Sequence, residues 1–138
     1  AAGKHSVPEG VWSKCGDRGS VLYRAELERT YEVCPKCSAH RPIAARLRLD
    51  LLLDPEERTE IAPNLEASDP LKFKDLKKYK DRLVAAEKNS QEKEALVAIQ
   101  GRIKGLGVVA AAFEFHFLAG SMGSVVGEKF SRCVEMAI

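Results

Sequence analysis

The sequence predicts a mixed α+β (or α/β) protein built from a small cysteine-bearing module and a larger body. Three observations lead there: cysteines at 15, 34 and 37, an apolar pair of segments joined by a glycine turn, and a strand-to-helix transition through glycine near residue 120. At 138 residues, 45% hydrophobic and 30% charged, the chain suits one modest domain and an appendage.

The first element is the cysteine module. Zn²⁺ takes four ligands in a tetrahedron, and a Cys-x-x-Cys knuckle turns both sulfurs toward one point. Cys34-Pro35-Lys36-Cys37 is such a knuckle; Lys14-Cys15-Gly16-Asp17-Arg18-Gly19 is half of one, with Arg18 where a second thiolate belongs. A guanidinium cannot ligate metal. Cys15, Cys34 and Cys37 are therefore three ligands of a zinc-ribbon-like module over residues 7–40, with His40 or Asp17 as candidates for the fourth. The alternative is a set of free thiols. Val21 to Glu28 reads as the returning strands of the ribbon.

Next, Ala44 to Leu53 reads as a short helix stopped by Asp54-Pro55. Glu56 to Pro70 is acidic, carries prolines at 63 and 70, and reads as an irregular connection with at most one short strand. Residues 41–70 thus hold a helix and an irregular connection, with the boundary expected within Glu56 to Pro70. Over Lys74 to Asn89, apolar Leu76, Tyr79, Leu83 and Ala86 recur at helical spacing with lysines outside. Ala95 to Ile103 and Val108 to Phe117 read as a hairpin turned at Lys104-Gly105-Leu106-Gly107. Met122, Val125, Val126, Phe130, Cys133, Val134 and Ala137 then take helical spacing.

Charge is segregated beneath a net value of +2. Residues 1–48 carry nine Lys/Arg against five Asp/Glu, and residues 71–104 ten against five, whereas residues 49–70 carry one against seven. The basic stretches suit anionic partners or, for the lysine run, a solvated helix face. Trp12, Tyr23 and Tyr31 among Lys14, Arg24 and Arg29 offer either stacking surfaces for nucleic acid or ribbon packing. The apolar stretch Val108 to Gly120 is short and contains Glu114 and His116, so membrane insertion is not expected. The opening residues lack a secretory pattern, and the clustered cysteines with Cys133 apart suit a reducing compartment; the expectation is cytoplasm.

The turn Leu118-Ala119-Gly120-Ser121-Met122-Gly123 leads a strand into a helix. Such a turn aims backbone N–H groups, backed by the helix dipole, at an anion or developing oxyanion, although glycine there also serves purely steric needs. His5, His40 and His116 have no catalytic context, and no side chain stands out as a general base.

The segments Val7–Cys15, Val21–Arg29, Val33–Cys37, Leu71–Asp75, Lys77–Leu83, Val108–Phe115 and Gly120–Gly127, in order and nearly without gaps, resemble the beta subunit of bacterial and plastid acetyl-CoA carboxylase carboxyltransferase. The resemblance implies a zinc ribbon before a crotonase-like (ClpP/crotonase superfamily) domain of ββα units, starting near residue 71 and incomplete at Ile138. It also implies carboxyl transfer from carboxybiotin, on a biotin carboxyl carrier protein, to acetyl-CoA, giving malonyl-CoA for fatty-acid synthesis. The expected partner is an alpha subunit in an alpha2beta2 assembly, in cytoplasm or plastid stroma, and the family's ribbon is also associated with messenger RNA. Acyl-CoA contacts are expected at Gly120, Ser121, Met122 and Gly123. His116 stands where family members carry a small residue, which suits packing or surface. Two departures accompany the likeness: Arg18 at a zinc-ligand position, and the absence of the family's later Gly-Gly-Ala-Arg segment, without which this chain alone is expected not to turn over.

Overall fold

The computed structural model describes residues 10–138; His5 and the start of the ribbon at residue 7 lie outside them. The chain divides into two units, one ending at Ile43 and the other spanning Ala44–Ile138.

In the first unit, β1 (Trp12–Lys14) and β2 (Val21–Tyr23) pair antiparallel, Ser13 opposite Leu22. The chain then departs from the expected strand. Arg24–Arg29 is a helix, α1. Ala25, Glu26, Leu27 and Glu28 are better helix than strand formers, and Arg24 and Glu28 pair one turn apart at 3.6 Å. The helix buries Leu27, which joins Cys15, Leu22 and Cys34 in a core of four residues.

The second unit is organised by a hairpin. Strand β4 (Leu96–Ile103) pairs with β5 (Leu106–Phe113), and β3 (Thr59–Glu60) adds to the other edge of β4, all antiparallel. The turn is tighter than the four residues expected. Ile103 faces Leu106, so Lys104 and Gly105 alone close it, with φ of 51° and 81°. Two positive φ values give the mirror-image turn whose twist matches the strands. Asp54 fastens this turn from outside, its carboxylate accepting from the N–H groups of Lys104 (3.0 Å) and Gly105 (2.8 Å).

Both faces of β4 are covered. Helix α2 (Ala45–Leu52) sets Ala45 and Leu49, with Leu53, against Val97, Ile99 and Ala112. On the opposite face, Leu96 and Ala95 meet Ala86 of α3 (Tyr79–Ser90), Phe117, and Val126 of α4 (Ser124–Ala137). Ala98 packs with Ile61 and Cys133 there. Of residues 41–70, expected to be a helix and a connection, 44–70 lie within this unit: α2 and β3 are parts of its layers, and the units divide after Ile43 rather than within Glu56 to Pro70.

Two further boundaries differ from the sequence reading. Helix α3 starts at Tyr79 rather than Lys74, because the Asp75 carboxylate accepts from the Lys77 N–H at 2.9 Å and the Tyr79 N–H goes back to the Phe73 carbonyl. That local turn competes with helix and leaves Leu76 95% exposed. Strand β5 ends at Phe113 rather than Phe117: Leu118, Ala119 and Gly120 all take positive φ and reverse the chain, while Phe117 drops into the core. The lysines at 72, 74, 77, 78 and 80 are all exposed. Among the described residues no helix is long and apolar enough to cross a membrane.

At the hairpin turn, Gly105→Ala forces a Cβ into left-handed backbone and is expected to lower the unfolding free energy by about 1–2 kcal/mol. The control Gly107→Ala, at a position with open space around it, is expected to shift it by less than about 0.5 kcal/mol. Urea unfolding followed by circular dichroism measures both.

Candidate metal centre

The two knuckles have the same backbone geometry. In the first, the Gly19 N–H donates to the Cys15 carbonyl (2.8 Å) and the Cys15 N–H to the Ser20 carbonyl (2.9 Å). In the second, the Ser38 N–H donates to the Cys34 carbonyl (2.8 Å) and the Cys34 N–H to the Ala39 carbonyl (2.8 Å). Offsets of four and five residues recur, and Gly19 and Ser38 take matching φ values of 64° and 60°. Position 18 is therefore the structural counterpart of Cys37.

The thiols of Cys15, Cys34 and Cys37 lie within 4.8 Å of one another, and neither His40 nor Asp17 belongs to that group. Cys15 Sγ and Cys37 Sγ are 3.6 Å apart. A tetrahedral zinc with Zn–S bonds of about 2.3 Å holds its sulfurs about 3.8 Å apart, so the donor set fits that ion. Cys15 and Cys34 are buried and Cys37 is partly so. The backbone N–H groups of Arg18 and Asp17 aim at Cys15 and hold its thiol below the ordinary value. The Ala39 N–H works the same way on Cys37, but the neighbouring Cys34 and Cys15 thiols and burial outweigh it and push that thiol up. Two thiols resist sharing so small a volume as two anions; a divalent cation removes that conflict.

Around this cluster the aromatics are not core. Trp12 and Tyr23 are cross-strand neighbours with ring centres 5.3 Å apart and planes at 60°, and both stay about half exposed, as does Tyr31.

In the larger unit, the turn at Gly120–Gly123 leads into α4 with Gly123 as the capping residue and no side-chain cap. Ser121, Met122 and Gly123 are exposed, and their N–H groups meet no acceptor among the described residues. Just before the turn lies a group that alternation could not reveal. Glu114 is buried, its carboxylate accepting from the Ala45 N–H (2.8 Å), the His116 N–H (3.0 Å) and His116 Nδ1 (2.7 Å). It thereby caps α2, whose own N-cap, Ala44, has no oxygen to offer. Burial works against the charged form, but the two backbone donors and the imidazole outweigh it and hold the carboxyl below its usual range. His116 is a half-exposed partner of that buried carboxylate. Glu94, accepting from the Ala95 N–H at 2.7 Å, and Lys129 are buried as well; Lys129 Nζ donates to the Leu96 carbonyl at 3.0 Å while burial lowers its pKa.

Removing the Glu114 carboxylate by Glu114→Ala strands the buried Ala45 N–H and the part-buried His116 N–H and is expected to cost about 2 kcal/mol in urea unfolding. Because its folded-state pKa lies below the unfolded value, Glu114 stabilises fully above about pH 4 and loses that contribution as pH falls through the folded value. Glu114→Gln is expected to flatten the acid limb of the stability profile. For the metal, Cys34→Ala is expected to abolish stoichiometric zinc, read by elemental analysis, and a chelator to melt the N-terminal unit while sparing the hairpin unit, read by amide exchange.

The sequence profile of the acetyl-CoA carboxylase zinc finger domain matches residues 12–37, from the first strand to the last thiolate. The match contains all three thiols of the cluster, and residues 12–37 are accordingly a zinc-ribbon-like module similar to the acetyl-CoA carboxylase zinc finger domain.

Proposed function

We propose that this chain is the beta-subunit portion of an acetyl-CoA carboxylase carboxyltransferase, moving a carboxyl group from carboxybiotin on its carrier protein to acetyl-CoA. The observation that carries this reading is the acetyl-CoA carboxylase zinc-finger match at residues 12–37.

The chemistry asks for an enolate. A proton leaves the methyl carbon of the acetyl thioester and the electron pair moves onto the thioester oxygen. The carbon then attacks the carboxyl carbon of carboxybiotin; a C–C bond forms, the C–N bond breaks, and the biotin nitrogen takes up the proton that the methyl carbon gave. Donors aimed at the developing oxyanion lower that barrier more than any side-chain acid could from a distance. Backbone N–H groups of Ser121, Met122 and Gly123, exposed at the start of α4, are this chain's candidates, with Gly120 giving the sharp reversal at φ 73°. The ribbon's zinc would be structural in this scheme, holding Cys15, Cys34 and Cys37 together. In this reading the larger unit is the start of a crotonase-like domain, which the β4–β5–α4 arrangement of hairpin then helix supports.

An alpha subunit, in an alpha2beta2 assembly, is the partner proposed. The second unit supports it by what it leaves uncovered: Phe113, Phe115, Phe130 and Val134 are all roughly half exposed. Cytoplasm or plastid stroma is the proposed setting. A second reading, RNA binding by the ribbon, draws on the exposed Trp12–Tyr23 pair beside Lys14 and Arg24.

Malonyl-CoA formation from acetyl-CoA and carboxylated carrier, with alpha subunit supplied, tests the first reading. Turnover that falls at least tenfold in Gly123→Val is the expected result, and a stable complex without turnover would reduce the chain to an interaction role. RNA retention that weakens steeply with salt and is lost in Trp12→Ala would support the second reading.

A further inference from the structure

We propose that the metal held by Cys15, Cys34 and Cys37 takes its fourth ligand from outside the chain, as an exchangeable small thiolate that displaces water at the corner marked by Arg18. The proposal is independent of the carboxyltransferase reading.

Three observations carry it. The repeated knuckle geometry assigns the fourth corner to residue 18, since Gly19 and Ser38 share both hydrogen-bond offset and φ. The residue there is an arginine, which has no lone pair to give. Among the described residues, the close group of possible ligand atoms holds three thiols and neither His40 nor Asp17.

The cluster lies just beneath two surface turns. Cys15 and Cys34 are buried, whereas Gly16, Asp17 and Arg18 of the first knuckle are exposed, as are Pro35 and Lys36 of the second, so solvent lies close to the corner that Arg18 marks. Charge selects what arrives. Zn²⁺ with three thiolates carries a single net negative charge, and a fourth thiolate doubles it. The Arg18 guanidinium, carried on that same knuckle, offsets the added charge and favours an anionic donor over a neutral one. Softness favours sulfur among anions. The exchange is a plain substitution: a thiol gives its proton to solvent, its sulfur binds the metal, and water leaves, with no change of oxidation state. Metal sites closed by four side chains resist such exchange, and those with three keep a position for it.

Cobalt(II) replaces zinc in such sites and reports its sulfur ligands by charge-transfer absorption. The full chain, exchanged to one cobalt per protein, is titrated with 2-mercaptoethanol. The expected result is a saturable rise of about one third in that absorption, as the count goes from three thiolates to four. In Arg18→Cys the absorption should begin at the higher level and ignore the added thiol, and its cobalt affinity should rise at least tenfold. The exposed variants His40→Ala and Asp17→Ala should behave like the parent. A parent spectrum indifferent to thiol would overturn the proposal, as would loss of cobalt absorption in His40→Ala or Asp17→Ala, which would identify an internal ligand. Failure of the parent to bind cobalt when Arg18→Cys does so would overturn it as well.

Discussion

Strand β4 has to bury both faces, and the second unit follows from that demand. Its residues alternate between two apolar partners: Val97 and Ile99 toward α2, Leu96 and Ala98 toward the layer of α3, Phe117 and α4. A strand covered on one side only would alternate apolar with polar; this one reads as an unbroken apolar run from Ala95 to Ile99. Antiparallel pairing with β5 and β3 satisfies its backbone, and helices on both sides remove it from water. Even Gly101 belongs to this packing, since a Cβ there would meet Leu53 at 3.4 Å.

Two carboxylates tie the layers together where apolar contact cannot. Asp54 ends α2 and holds the hairpin turn; Glu114 ends β5 and caps the start of α2. Each lies at a seam between elements distant in sequence, and each works by accepting from backbone N–H groups that would otherwise be unpaired. Beyond them, at the surface, a half-exposed Arg46 bridges Glu60 and Glu92 beside the buried Lys129.

The ribbon is governed by scarcity instead. Among the described residues four make its core, two of them cysteines, too little apolar surface to order a module of this size without help. The thiols therefore act as packing and as ligands together, and the matched knuckles bring three of them to tetrahedral spacing. Trp12 and Tyr23 stay outside this core and remain about half exposed.

Much of this was legible in the residues. Cys15 and the Cys34–Cys37 knuckle, the short helix stopped at Asp54-Pro55, the hairpin and the final helix each carry a local signal, a ligand spacing, a breaker or a period, which depends on neighbours in sequence alone. The missing ligand at Arg18 was legible too, because spacing fixes a knuckle without reference to the fold. What escaped depends on groups far apart in sequence or on local contests between competing hydrogen bonds. The strand expected over Val21 to Glu28 gave way to α1 once Leu27 had a core to enter. Helix α3 lost its first turn to the Asp75 carboxylate, and β5 ended where Glu114 turned inward to meet an N–H sixty-nine residues away. Periodicity reports which face of an element is apolar. Only tertiary structure decides which polar group must leave its element to satisfy another, because that cost is set by burial, and burial is a property of the whole fold.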